Sequence, residues 1–118
     1  MLRDYQHAAQ VYIVCGYTDM RKSIDGLCCI VEQKFKMNPF ESSLFLFSGR
    51  KHDRLKALLF EGDGFVLLYK RLENGKFQWP DTPEAVKTLD TQQLRWLLEG
   101  LCINQPRAVK KIQPKNCI

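Results

Sequence analysis

Histidine is scarce in this chain, and no two cysteines stand at C-x-x-C spacing. Only His7 and His52 are present, and the five cysteines are scattered as Cys15, Cys28, Cys29, Cys102 and Cys117. An odd, unpaired set of this kind argues against a disulfide framework and against a structural zinc site. No cofactor and no bound metal are expected. Long apolar runs are missing as well. The longest, Leu44–Phe47 and Phe65–Tyr69, are strand-sized and far short of the ~20 residues that span a bilayer. Met1–His7 carries charge and leads into no apolar stretch, so it is not read as a secretory leader. The expectation is a soluble, cytoplasmic protein with no membrane partner.

The motifs of common catalysts are missing too. There is no G-x-S-x-G, and neither histidine has an evident Ser or Cys partner in the sequence. No glycine-rich phosphate loop of the P-loop or Rossmann kind occurs. The thirteen acids are largely spoken for by local structure. Asp19 and Asp90 stand where helix caps are wanted, Asp63 and Glu73 lie in turns, and Glu61 and Asp63 flank Gly62 as turn residues commonly do. Nothing here assembles the converging carboxylates of a two-metal nuclease. The protein is therefore not expected to be an enzyme.

What is present fits one globular unit. Of the 118 residues, 45% are apolar and 26% charged, enough for one core and too balanced for wholesale disorder. Eighteen Lys and Arg against thirteen Asp and Glu leave a net charge of +5. An excess of this sign favours an anionic partner, nucleic acid first and an acidic protein second.

Periodicity predicts an α+β fold, a small antiparallel β-meander packed with two amphipathic helices. Val11–Cys15 reads as a strand stopped by Gly16. Thr18 or Asp19 then caps a helix of about four turns, with Met20, Ile24, Leu27, Cys28, Val31 and Phe35 on one face; Asn38-Pro39 ends it. Leu44–Phe47, Leu55–Phe60 and Phe65–Leu72 read as successive strands. The Asn74-Gly75 pair predicts a further hairpin returning through Phe77–Trp79. Val86–Leu89 reads as a short edge strand. A second helix opens with the capping-box pair Asp90 and Gln93 and carries a Leu94, Leu97, Leu98, Leu101 stripe. Residues 1–103 form the single domain, and 104–118, basic and acid-free, form a flexible tail.

The cations cluster. Arg50, Lys51, Arg54 and Lys56 crowd one connection and the strand after it, and Lys70-Arg71 ends the next strand. If those two strands pair through the Gly62–Gly64 turn, their far ends lie together. One positive patch results, bordered by Tyr69 and Phe77, and suited to phosphates. Arg21 and Lys22 form a second candidate. Cations in the first turn of a helix oppose its dipole, a conflict that a bound phosphate relieves.

The run Gly16-Tyr17-Thr18-Asp19-Met20-Arg21-Lys22-Ser23-Ile24-Asp25-Gly26-Leu27 resembles the signature of the TnpB accessory proteins of IS66-type insertion sequences. Asn38-Pro39-Phe40, Leu44–Phe47, Arg50–Lys56, Asp63–Phe65, Tyr69–Glu73 and Gly75–Pro80 continue it in order, and Trp96–Gly100 is similar to the family's last helix. The match covers residues 11 to 101. The RNA-guided nuclease that shares the TnpB name is a different protein. The resemblance implies a role in transposition beside a separate transposase that carries the catalytic acids, and it implies no enzymatic activity and no particular binding residues. Two functions follow as expectations. One is DNA binding at the element ends that assists the transposase. The other is an adaptor that docks on the transposase, through the meander or the Trp96 helix, without touching DNA.

Overall fold

A computed structural model describes residues 10–82, 85–107 and 109. Five strands make one sheet in the order β4-β3-β2-β1-β5: β1 Gln10–Val14, β2 Ser43–Ser48, β3 Arg54–Phe60, β4 Phe65–Arg71 and β5 Val86–Leu89. The β2–β3–β4 meander is antiparallel, as expected, and β5 is an antiparallel edge strand beside β1. The sheet is nonetheless mixed, because β1 runs parallel to β2. A parallel neighbour needs a crossover, and the first helix supplies it.

That helix begins later than expected. Helix α1 is Ile24–Cys29 and passes into a π-helical turn, Ile30–Lys34, closed by Phe35 N–H donating to Ile30 O at 3.3 Å. Neither Thr18 nor Asp19 caps it. The Asp19 carboxylate is consumed by Arg21, whose main-chain N–H donates to Oδ1 at 2.9 Å, and Lys22 N–H donates to Asp19 O at 3.1 Å. These bonds close a tight turn just where the first helical turn was expected.

Alternation along the strands divides the core in two. Facing α1 are Val14, Phe45, Phe47 and Leu58, packed with Leu27 and Val31. On the opposite face Ile13, Leu44, Leu46, Leu55 and Leu59 pack beneath α2, Thr91–Leu98, whose Leu94 and Leu97 are buried. Asp90 and Gln93 form the expected capping box, with Gln93 N–H donating to Asp90 Oδ1 at 2.7 Å. Asp90→Ala is expected to cost about 1 kcal/mol in urea-induced unfolding. Leu101, assigned to the stripe, is exposed instead. Gly100 at φ +83° turns the chain out of the helix before that residue.

Phe77–Trp79, expected as a returning strand, is not a strand. Phe77 N–H donates to His52 O and Leu72 N–H to Asp53 O, at 2.8 and 2.7 Å. The chain thus leaves β4 and crosses over the sheet to β1. Phe77 and Trp79 point into the α2-side core, and Trp79 Nε1 donates to Val14 O at 2.9 Å. Two apolar residues at i and i+2 suit a covering segment as well as a strand, so the pattern alone does not separate them.

Burial pushes the thiols of Cys15 and Cys28 up, away from the reactive thiolate. No helix among the described residues is long and apolar enough to cross a membrane. The tail expected over 104–118 lies outside the described residues at 108 and 110–118.

Candidate nucleic-acid interface

The register of β3 and β4 decides how the basic residues meet. Arg54 is directly opposite Arg71, Leu55 opposite Lys70 and Lys56 opposite Tyr69. Opposed residues of an antiparallel pair share a face, and successive residues alternate. Arg54, Lys56, Tyr69 and Arg71 therefore lie on the α1 side, in line with buried Leu58. Lys70 comes back to the same end of the hairpin, as expected, but on the opposite face, in line with Leu68. Phe77 presents no ring to the patch, although its N–H bonds the loop at His52 O. It is 2% exposed and belongs to the core.

The connection between β2 and β3 is braced from beneath. Ser48 Oγ, fully buried, lies 3.1 Å from Arg54 O, 3.3 Å from Gly49 O and 3.2 Å from His52 Nδ1. His52 adopts φ +58°, a left-handed conformation uncommon outside glycine, and its Nε2 is 3.4 Å from Asp81. So His52 does have a serine partner, contrary to the expectation from sequence. The Ser48 hydroxyl, buried from solvent between two main-chain carbonyls and the imidazole, holds the loop. Gly49 closes against Met20, since a Cβ there would come within 2.8 Å of Met20 Cγ. The bracing turns Arg50 and Lys51 outward.

An open cleft of about 490 Å³ lies on this side of the sheet end, lined by Tyr17, Thr18, Asp19, Met20, Arg21, Gly49, Arg50, Lys51, Asp53 and Arg54. It joins the two stretches of basic sequence, with four cations set against two carboxylates. The cations differ in how free they are. The Arg21 guanidinium donates to both Asp19 oxygens at 2.9–3.2 Å. Those bonds, together with the main-chain bond from Arg21, hold the Asp19 carboxyl at about 2, below its ordinary 3.8. The pair is thus complete above the ordinary carboxylate range and is lost only as pH falls through about 2. Arg71 is likewise bound to Glu73 at 2.9 Å. Lys56 Nζ donates to Lys22 O at 2.6 Å and lies 5.7 Å from the Tyr69 ring centroid. Arg50 donates to Tyr17 Oη at 2.9 Å with its guanidinium 4.7 Å from the ring centroid. For Lys51 and Arg54 there is no carboxylate partner among the described residues. Arg21 and Lys22 stand before α1 and not in its first turn, so the helix-dipole basis for a phosphate there is lost.

The family model described as IS66 Orf2 like protein matches residues 9–108, from the start of the sheet to beyond α2. The chain belongs to the IS66 Orf2-like family. It is an insertion-sequence-associated protein of the accessory TnpB type, so the likeness carried by Gly16–Leu27 holds. Among its relatives is the protein y4hO of Sinorhizobium fredii, 36% identical over 98 residues, which span 83% of this chain and 85% of the relative. A second is y4jC of the same organism, 29% identical over 92 residues, 78% of this chain and 79% of the relative. No solved structure matches the chain.

Within this IS66 Orf2-like chain, the cleft uses two kinds of residue that basic clustering does not flag. Tyr17 forms one wall although it belongs to no periodic apolar pattern; the available signal was an aromatic residue between Gly16 and Thr18, outside any strand or helix. Ser48 and His52 shape the loop from below, and only the fold brings them together.

Proposed function

We propose that this protein binds DNA through the Arg50–Arg54 cleft and assists a separate transposase encoded by the same insertion sequence. The observation that supports the reading most is the exposure of Lys51 and Arg54 beside Arg50, without carboxylate partners among the described residues, around one concave surface. Cations held in this way neutralise phosphates and release counterions, and the gain falls with salt. Three such contacts on duplex DNA give a slope of about −3 in log affinity against log salt. Anisotropy titrations with labelled duplex at several salt concentrations test this. Measurable low-salt binding with a slope of that size supports the reading, and failure to bind either duplex or single strand at low salt defeats it.

The Asp19–Arg21 pair offers a test with the opposite sign. Asp19→Asn removes the charge that neutralises Arg21 at the mouth of the cleft. DNA affinity is expected to rise severalfold and the salt slope to steepen by about one contact, read in the same titration.

The second reading, an adaptor docking on the transposase without DNA contact, is favoured by an aromatic knot at the other end of the β3–β4 hairpin. There exposed Phe40 meets Phe60 and Phe65 edge-on, with ring centroids 5.0–5.2 Å apart. Co-purification with transposase from nuclease-treated lysate, lost in Phe40→Ser, would support it.

A further inference from the structure

Cations alone suffice for a duplex backbone, which presents only phosphates and sugars to a loop surface. This cleft contains more than cations. Tyr17 is 60% exposed, a large aromatic surface left in water at the edge of a charged site. Its backbone is pinned on both sides. Gly16 N–H donates to Pro80 O at 2.8 Å and Thr18 N–H to Ser48 O at 2.7 Å, and Gly16 takes φ +76°, which a side chain would resist. Thr18 is buried while Tyr17 is not. The chain thus fixes the base of the Tyr17 side chain and holds the ring out beside Arg50, whose guanidinium is anchored to it.

A similar pair occurs further along the same face. Tyr69, 53% exposed, carries the Lys56 ammonium near its ring, two residues along the hairpin from the facing Arg54 and Arg71. From the cleft outward, one face of the protein therefore presents an aromatic–cation pair, then Arg54 beside the Glu73-bound Arg71, then a second aromatic–cation pair. Flat aromatic groups interleaved with cations are what unpaired nucleotides require, because bases stack on the rings while phosphates meet the charges. Paired bases are already stacked on each other and have no use for such rings. Among the described residues no helix or two-stranded ribbon projects from this cleft to enter a major groove, and its volume is within the ~300–1,000 Å³ of a small-ligand site.

We propose that this face takes single-stranded DNA, with one base stacked against the Tyr17–Arg50 pair and the adjoining phosphates on Lys51 and Arg54. The inference rests on the DNA-binding reading above and narrows it to unpaired strands. Tyr69 and Lys56 extend the path.

The test is an anisotropy titration of the full chain with a labelled, unstructured oligonucleotide, either alone or annealed to its complement. Wild type, Tyr17→Leu, Tyr17→Gln and Tyr17→Phe are compared at low salt, with circular dichroism to confirm folding. Wild type is expected to hold the single strand more tightly than the duplex. Tyr17→Leu and Tyr17→Gln should lose about tenfold in single-strand affinity, Tyr17→Phe should retain it, and duplex binding should change little. Wild-type single-strand affinity in Tyr17→Leu or Tyr17→Gln, or equal affinity of wild type for the two forms, overturns the inference but leaves the DNA-binding reading standing. Failure of wild type to bind either form overturns both.

Discussion

Arg54→Glu is expected to weaken DNA binding and to raise the melting temperature in the same molecule. Arg54 and Arg71 are directly opposed in the β3–β4 hairpin, and like charges at such positions destabilise a sheet by roughly 0.2–1 kcal/mol. Glu73 relieves part of this through its bond to Arg71. A glutamate at position 54 would turn the repulsion into attraction. It would also place a negative charge in the cleft where a phosphate is proposed to sit. Opposite signs for stability and binding are the mark of a residue retained for its ligand. The combined reversal of Arg50, Lys51 and Arg54 to Glu should reduce low-salt affinity by more than about a hundredfold, since three phosphate contacts become three repulsions. Lys70→Glu is the control. Lys70 is next to Arg71 in sequence but faces the other way across the sheet, so its reversal should cost much less than that of Arg54. Equal losses at positions 54 and 70 would mean that overall charge drives binding and the cleft does not.

The largest effect on stability is expected from Trp79→Ala. Trp79 is buried among the α2-side core residues, and its indole N–H satisfies the Val14 carbonyl. Removing a buried aromatic of this size costs about 3–5 kcal/mol, a large part of the ~5–15 kcal/mol by which a domain is stable. Trp79→Phe keeps most of the apolar contact but leaves Val14 O without that partner, at a cost of about 1–3 kcal/mol. Urea denaturation read by circular dichroism separates the two. The consequence reaches the cleft. The segment that Trp79 anchors also carries Pro80, whose carbonyl holds Gly16, so Trp79→Ala should loosen the Tyr17 wall. A Trp79→Ala protein as stable as wild type would show that the crossing segment contributes little to the core.

Hydrophobic period and turn chemistry by themselves determined most of the elements. Strands β1 to β5 lie close to where alternation and apolar runs predict them, and the Asp90–Gln93 box marks the start of α2, because these signals depend on neighbours a few residues apart. The β3–β4 pairing was legible too, since a tight Gly62–Gly64 turn leaves the strands no other partner nearby. The basic residues around Arg50–Lys56 were visible as a cluster for the same local reason. The family was legible in the Gly16–Leu27 run.

Only the tertiary structure decided the rest. Whether Phe77–Trp79 adds a strand or covers a core depends on the distant Val14 and His52 backbone groups, which no local pattern contains. The delayed start of α1 followed from a competition, in which Asp19 bonds Arg21 in place of capping a helix. Which cations are free was likewise settled by partners in space: Asp19 and Glu73 occupy Arg21 and Arg71, while the alternation of the sheet sends Lys70 to the far side. Charge is read from sequence because it belongs to one residue at a time. A site depends on which charges, rings and carbonyls end up within a few ångströms of one another, and here that was set by the packing of the 49–54 loop against the turn that precedes α1.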